Sequence, residues 1–269
     1  MPRVHLFELE DQSWFPAIVR DAATAYLRFG MAVSGHARGI APALAQAIGR
    51  TGAKRIVDLC SGGAGPIPSV VEALDEAGLP ARVLLTDRYP NLDAFRWVAA
   101  QSQGRIEFME EPVDATAVPP ALDGFRTFFN AFHHFRPEVA RRILQSAADD
   151  RQPIGVFEFV GRAPMQLLGV LISPLLLLLA VPFLRPFRWS WIPLTYLVPV
   201  IPLMTLWDGV VSCLRVYSIP ELQEMVAGIS TDGYGYRYDW EIGRIRLGPG
   251  VHCIYLLGIP SAVEPGGES

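Results

Sequence analysis

Arg55-Ile-Val-Asp-Leu-Cys60 runs straight into Ser61-Gly-Gly-Ala-Gly-Pro66, and this junction decides the reading of the chain. Its first half is an apolar run of strand length. Its second half is a glycine-rich turn, after which Ile67–Ala77 (IPSVVEALDEA) carries a helical pattern. A strand entering such a turn and then a helix is the opening unit of a parallel, helix-covered sheet. The glycines let a ligand approach the backbone closely, and the helix start offers unpaired N–H groups.

Working outward, apolar runs at 82–86, 106–110, 126–130 and 154–159 alternate with helical patterns at 91–102 and 137–148. This alternation predicts right-handed βαβ units. At the far end a helix near 219–229 precedes long strands at about 234–246 and 251–259. Leu247-Gly-Pro-Gly250 joins them, and so short a connection forces an antiparallel hairpin. The expected fold is α/β: a doubly wound, mostly parallel seven-stranded sheet with a C-terminal antiparallel hairpin, plus a hydrophobic helical insert. Helices are also expected at 13–29, with Ser13 as cap and Pro16 in the first turn, and at 40–50, ending at Gly52. The expected organisation is an N-terminal helical cap (1–34), a core (35–161 and 217–262), the insert (162–216) and a frayed tail (263–269).

The insert is the anomaly. From Met165 to Trp207 the only charged residues are Arg185 and Arg188, which separate apolar runs of 18 and 19 residues, Leu167–Leu184 and Trp189–Trp207. Each run, fully helical, is about 27 Å long, near the thickness of a bilayer core. Prolines at 174, 182, 186, 193, 199 and 202 break both runs, and a spanning hairpin would carry its two arginines to the far side, against the positive-inside tendency. A hairpin dipping into one leaflet, or an oily lid over the active site, fits better than a spanning pair.

Composition agrees. Among 269 residues 51% are hydrophobic and 19% charged, with mean hydropathy +0.26, which excludes a disordered chain. A net charge of −4 gives no basic field for nucleic acid. Three widely spaced cysteines form neither a disulfide framework nor a metal pair, and the N-terminus has no apolar signal region. These features predict a cytoplasmic protein attached to the membrane through 165–207. They leave the oligomeric state open.

Three acids accompany the glycine turn: Asp58 two residues before Cys60, Asp87 closing the second strand, and Asp114 after the third. Asp87 suits a ribose diol, and Asp114 with the Ala115 amide suits an adenine edge. A dinucleotide fingerprint lacks its third glycine, because Gly63-Ala-Gly65 is followed by Pro-Ile-Pro. Here the chain resembles the class I, seven-strand S-adenosylmethionine-dependent methyltransferases. Val57–Gly65 matches the family's first motif, Thr86-Asp87 the second, Val113-Asp114-Ala115 the third and Phe129–Phe135 (FNAFHHF) the fourth, and the terminal hairpin matches the sixth and seventh strands. Cys60 stands where glycine is usual. The resemblance implies S-adenosyl-L-methionine as cofactor, held by Asp58, Cys60, Gly62, Gly63, Gly65, Asp87, Arg88, Asp114, Ala115 and Asn130.

Methyl transfer from a sulfonium needs alignment, exclusion of water and, for a protonated acceptor, a base. The fourth strand ends at Asn130, Phe132, His133 and His134, so His133 and His134 are the candidate bases and Asn130 a further catalytic candidate. No zinc-ligand spacing is visible. Glu158 at the fifth strand end, with Trp14, Tyr26 and Phe132, is expected to line the acceptor pocket. The reading is a methyltransferase acting on an apolar small molecule or lipid-like acceptor at a membrane surface. A nicotinamide-dependent oxidoreductase and a non-catalytic cofactor-binding membrane protein are the alternatives.

Overall fold

The computed structural model describes residues 3–231 and 235–262, and the expected tail at 263–269 lies outside the described residues. Two helices, α1 (Ala17–Ser34) and α2 (His36–Thr51), precede the alternating core of β1 (Arg55–Asp58), α3 (Ile67–Glu76), β2 (Arg82–Leu85), α4 (Leu92–Gln101), β3 (Ile106–Phe108), β4 (Phe125–Phe129), α5 (Pro137–Asp149) and β5 (Ile154–Glu158). Then come the insert helices α6 (Pro164–Ala180), α7 (Trp191–Tyr196) and α8 (Val200–Arg215), followed by α9 (Ile219–Ala227), β6 (Tyr236–Gly248) and β7 (Val251–Ala262).

The seven strands lie in the order β3-β2-β1-β4-β5-β7-β6. β1 to β5 are parallel, while β7 runs antiparallel to both β5 and β6. The expected sheet is therefore the observed one. Successive residues of a strand point to opposite faces, so Ile56 enters the core beneath α2, α3 and α4, and Val57 the core beneath α5 and α9. Both faces being covered, β4 and β5 are buried at every position.

The first helix differs from its expected bounds. Pro16 is extended (ψ 123°) and sits at the N-cap, so Ser13 lies outside, and the helix runs on to Ser34 until Gly35 turns left-handed at φ 66°.

The insert also differs from a symmetric hairpin. Its first run is one helix with a 3₁₀ extension, Pro164–Phe183, long and apolar enough to cross a bilayer at mean hydropathy 2.2. Its second run is broken at Pro199 into a short α7 and a longer α8, which continues past Trp207 to Arg215. A third core joins it to α1, with Val19 and Ala22 packed among Leu177, Val181, Trp191 and Met204. Arg162 clasps both ends, donating to Val216 O at 2.6 Å and Glu221 at 3.1 Å. The Arg185–Arg188 tip folds back onto the core. Arg188 binds Asp21 at 2.8 Å and Asp93 at 2.6 Å. The outer face of α6 is left uncovered, with Leu171, Leu175 and Leu179, one stripe at i, i+4 spacing, 58%, 62% and 72% exposed.

Candidate active site

Asp58 is the hub of the glycine-rich turn. It ends β1 almost fully buried, accepting from Ser61 Oγ at 2.6 Å and from Thr127 Oγ1 on β4 at 2.8 Å. Burial pushes its carboxyl up to about 7 despite these two bonds. The turn is wound tightly: Cys60 (φ 57°), Gly62 (φ 53°), Ala64 (φ 71°) and Gly65 (φ 36°) all lie in the left-handed region. Gly62 and Gly65 adopt it freely, whereas Cys60 and Ala64 hold it at about 1–2 kcal/mol each. Such backbone strain concentrates at functional sites. Burial and the neighbouring Asp87 also raise the Cys60 thiol, which argues against a reactive thiolate.

Asp87 bolts two turns together. Its Oδ2 accepts from Gly62 N at 2.8 Å and its Oδ1 from Tyr89 N at 2.7 Å, so each oxygen keeps a lone pair for a ligand. Asp114 Oδ1 accepts from the Thr116 amide at 2.8 Å and hydroxyl at 2.7 Å, which lowers its pKa. Its Oδ2 stands 4.0 Å from Arg88, and Ala115 beside it is buried. The structure thus brings Asp58, Gly62 and Asp87 together, with Asp114 and Arg88 forming a second, more open group.

Helix α1 lies directly on the turn. A Cβ on Gly63 would come within 2.9 Å of Thr24 Cβ, so this glycine also admits a helix. One turn on, the buried Arg28 donates to Gly63 O and to Arg185 O, tying the turn to the insert tip, and lies 5.0 Å over Trp97. Among the described residues no carboxylate forms an ion pair with it, and burial pulls it down to about 10. Among the described residues, Arg28 is a buried cation without a counter-charge.

Past β4, Asn130 (φ 56°) turns its Oδ1 back to accept from Phe159 N and Val160 N, both at 3.1 Å, and so braces the ends of β4 and β5. The 3₁₀ turn Phe132–His134 then drives both histidines into a cluster of acids. His133 is buried, its Nδ1 2.7 Å from Glu158, which also accepts from the His133 amide at 3.0 Å. His134 Nδ1 lies 2.6 Å from Glu8 and 2.9 Å from Asp11, and these acids hold the imidazole well above its ordinary pKa. Arg215 pairs with the same two acids at 2.8 and 2.7 Å.

Sequence reasoning missed Glu8, Asp11, Asp208 and Arg215. The available signal was in α8, where Asp208 and Arg215 follow the apolar run two turns apart, on one helix face. Asp208 accepts from the amides of Leu9 and Glu10 at 2.7 and 3.0 Å, which lays the N-terminal segment along α8. Glu8, His133 and His134 offer ligand atoms within 4.8 Å of one another.

Trp14, Tyr26, Phe132 and Glu158 are the residues expected at the acceptor pocket. Trp14 is 69% exposed, touching Phe15 edge-on ahead of the helix. Phe132 is turned inward by the 3₁₀ geometry into the core, 5.6 Å from Phe128 and 5.8 Å from Tyr217. Tyr26 donates to Ser173 O at 3.2 Å and joins α1 to α6, and Glu158 serves His133.

No protein-family profile matches the chain, and no curated protein matches it. Among solved structures it is similar to an O-methyltransferase family protein from Burkholderia thailandensis (15% identity, 84% of this chain, 56% of that one, TM-score 0.45). It is also similar to the mitomycin 7-O-methyltransferase MmcR (17%, 83%, 53%, 0.48). A third is the magnesium protoporphyrin IX methyltransferase of Synechocystis with bound SAH (12%, 84%, 83%, 0.44). The chain spans about half the length of the first solved structures it matches. The strand order with a reversed β7 decides the architecture. The fold is a seven-stranded, mostly parallel α/β sheet closed by an antiparallel C-terminal hairpin. The functional reading rests on the strand order and on the geometry of this site.

Proposed function

We propose that this protein is an S-adenosylmethionine-dependent methyltransferase that acts on an apolar small molecule, such as a lipid, quinone, polyketide or terpenoid, at a cytoplasmic membrane face. The observation that carries it is the joined pair of turns at the carboxyl edge of β1 and β2, where Gly62 and Asp87 are hydrogen-bonded in a sheet of this order. Open α/β sheets bind their ligands at that edge.

The residues present fit the cofactor. Asp87 keeps lone pairs for the ribose diol, and Asp114 with the Ala115 amide faces the part of the site where an adenine edge belongs. Arg28 supplies a buried cation, without an ion-pair partner among the described residues, for the carboxylate of the amino acid end. Bound there, the cofactor supplies an electrophilic methyl group. The chain's own tasks are to align the acceptor, to exclude water with α1 and the insert, and to manage the acceptor's proton at the end of β4, where His133, His134 and Glu8 meet.

The insert is the lid over this edge, pinned by Arg28 and Arg188. Its uncovered α6 stripe is far more apolar surface than a water-facing lid carries, and lipid is the occupant that suits it. An apolar acceptor then reaches the site from the membrane under the lid.

The test is transfer of labelled methyl from S-adenosylmethionine into the lipid-soluble fraction of a metabolite extract by the full chain with phospholipid present. The proposal expects label in that fraction with matching release of S-adenosylhomocysteine. Absence of both across extracts overturns it.

A further inference from the structure

The imidazole of His133 carries an atom that no described residue satisfies. Its Nδ1 faces Glu158 at 2.7 Å, while its Nε2, in a side chain 1% exposed, has no hydrogen-bond partner among the described residues. It points at Glu8 Oε1 across 3.8 Å, and that oxygen already accepts from Ser212 Oγ. A gap of 3.8 Å is too long for a hydrogen bond. It is within the roughly 4 Å that a metal–nitrogen and a metal–oxygen bond span together.

The second imidazole sits beside the first. The His133 and His134 rings stack at 4.5 Å and 27°, an arrangement that disfavours charge on both. The surrounding charge is one-sided. Glu8, Glu10 and Asp11 come from the N-terminal segment, Glu158 from β5 and Asp208 from α8. Against these five carboxylates stand Arg215 and, on the carbonyl side of the turn, Arg3, which donates to His133 O at 3.3 Å. The cluster is short of positive charge.

We propose that Glu8, His133 and His134 bind a divalent transition-metal ion of the zinc class. Two imidazoles and one carboxylate are a borderline-soft donor set suited to Zn²⁺ rather than to Mg²⁺ or Ca²⁺. Glu158 is the outer partner that fixes His133 with Nε2 turned inward, the arrangement that orients a metal-ligating histidine. His134, one-fifth exposed beside Glu10 and Asp11, gives the ion its way in. Three protein ligands leave a coordination position open at the end of β4. The inference rests on the methyltransferase reading only for its use: an ion there would polarise an acceptor hydroxyl, in place of a histidine base.

The experiment uses tag-free, chelator-stripped full-length protein. Titration with Co²⁺ is followed by visible absorption and titration with Zn²⁺ by calorimetry, and S-adenosylhomocysteine binding is measured on the same preparations. The proposal expects one ion per chain with the intense d–d bands of low-coordinate Co²⁺. Glu8→Gln and His133→Gln should weaken binding at least 100-fold, and the positioning variant Glu158→Gln about 10–100-fold. In the wild-type protein, which needs no variant to fold, Zn²⁺ should shift the imidazole NMR signals of His133 and His134. Absence of one-ion binding, unchanged imidazole signals, or affinity that survives both ligand variants overturns the site. Loss of S-adenosylhomocysteine binding instead counts against the methyltransferase reading alone.

Discussion

Replacing Arg28 by methionine separates the cofactor role of this residue from its structural one. In the folded protein its burial lowers the guanidinium from 12.5 to about 10, a penalty of about 3 kcal/mol. Two bonds from a charged donor to the Gly63 and Arg185 carbonyls return about 3–6 kcal/mol. Their removal by a side chain of similar length therefore costs the ligand-free protein only about 0–3 kcal/mol. The cofactor loses more. A charge-assisted bidentate bond to its carboxylate is worth about 1.5–3 kcal/mol, so S-adenosylhomocysteine should bind about 10- to 150-fold more weakly to Arg28→Met. Methylthioadenosine, which keeps the nucleoside but lacks the amino acid end, should bind both proteins alike. Calorimetry with the two ligands on wild type and variant reads this difference. Equal losses for both ligands, or no loss for S-adenosylhomocysteine, would refute the role given to Arg28.

Asp58 should make stability pH-dependent. Its carboxyl titrates near 7 when folded and near 4 when unfolded, so the folded state holds the extra proton, and the contribution is complete below about pH 4 and lost as pH rises through 7. Up to about 4 kcal/mol is at stake, and Asp58→Asn should flatten the denaturant midpoints across pH 4–8; parallel wild-type and variant curves would count against it. Asn130→Ala strands the Phe159 and Val160 amides and should lower stability by about 2–3 kcal/mol, with Asn130→Asp near neutral in the same thermal melts. Exchanging Leu171, Leu175 and Leu179 together for serine should reduce sedimentation with anionic phospholipid vesicles at least tenfold while leaving S-adenosylhomocysteine affinity unchanged. Undiminished vesicle binding would remove the α6 stripe as the membrane contact.

The sheet was legible because its signals are local. Arg55–Pro66 announces a strand and a turn within twelve residues, with the helix following at Ile67, and Leu247–Gly250 leaves no room for anything but a hairpin. The acids of the turn were legible for the same reason. What escaped is non-local. Nothing near Glu8 shows that it meets His134, because the contact arises only when Asp208 binds the amides of Leu9 and Glu10 and lays the N-terminal segment along α8. Gly63 reads as room for a ligand until α1 brings Thr24 onto it. The two oily runs look equivalent by hydropathy, yet α6 remains one helix with Pro174 inside it, whereas the second run divides at Pro199. Trp14 was misplaced because Pro16 starts the helix after it rather than around it.

Ligand choice at the Asp58–Gly62–Asp87 turn is read directly by calorimetric titration of the full-length protein with S-adenosylhomocysteine and, separately, with NADH. One equivalent of S-adenosylhomocysteine should bind, weakened at least tenfold by Asp87→Ala, with no heat from NADH. Saturable binding of NADH with none of S-adenosylhomocysteine would contradict the methyltransferase reading.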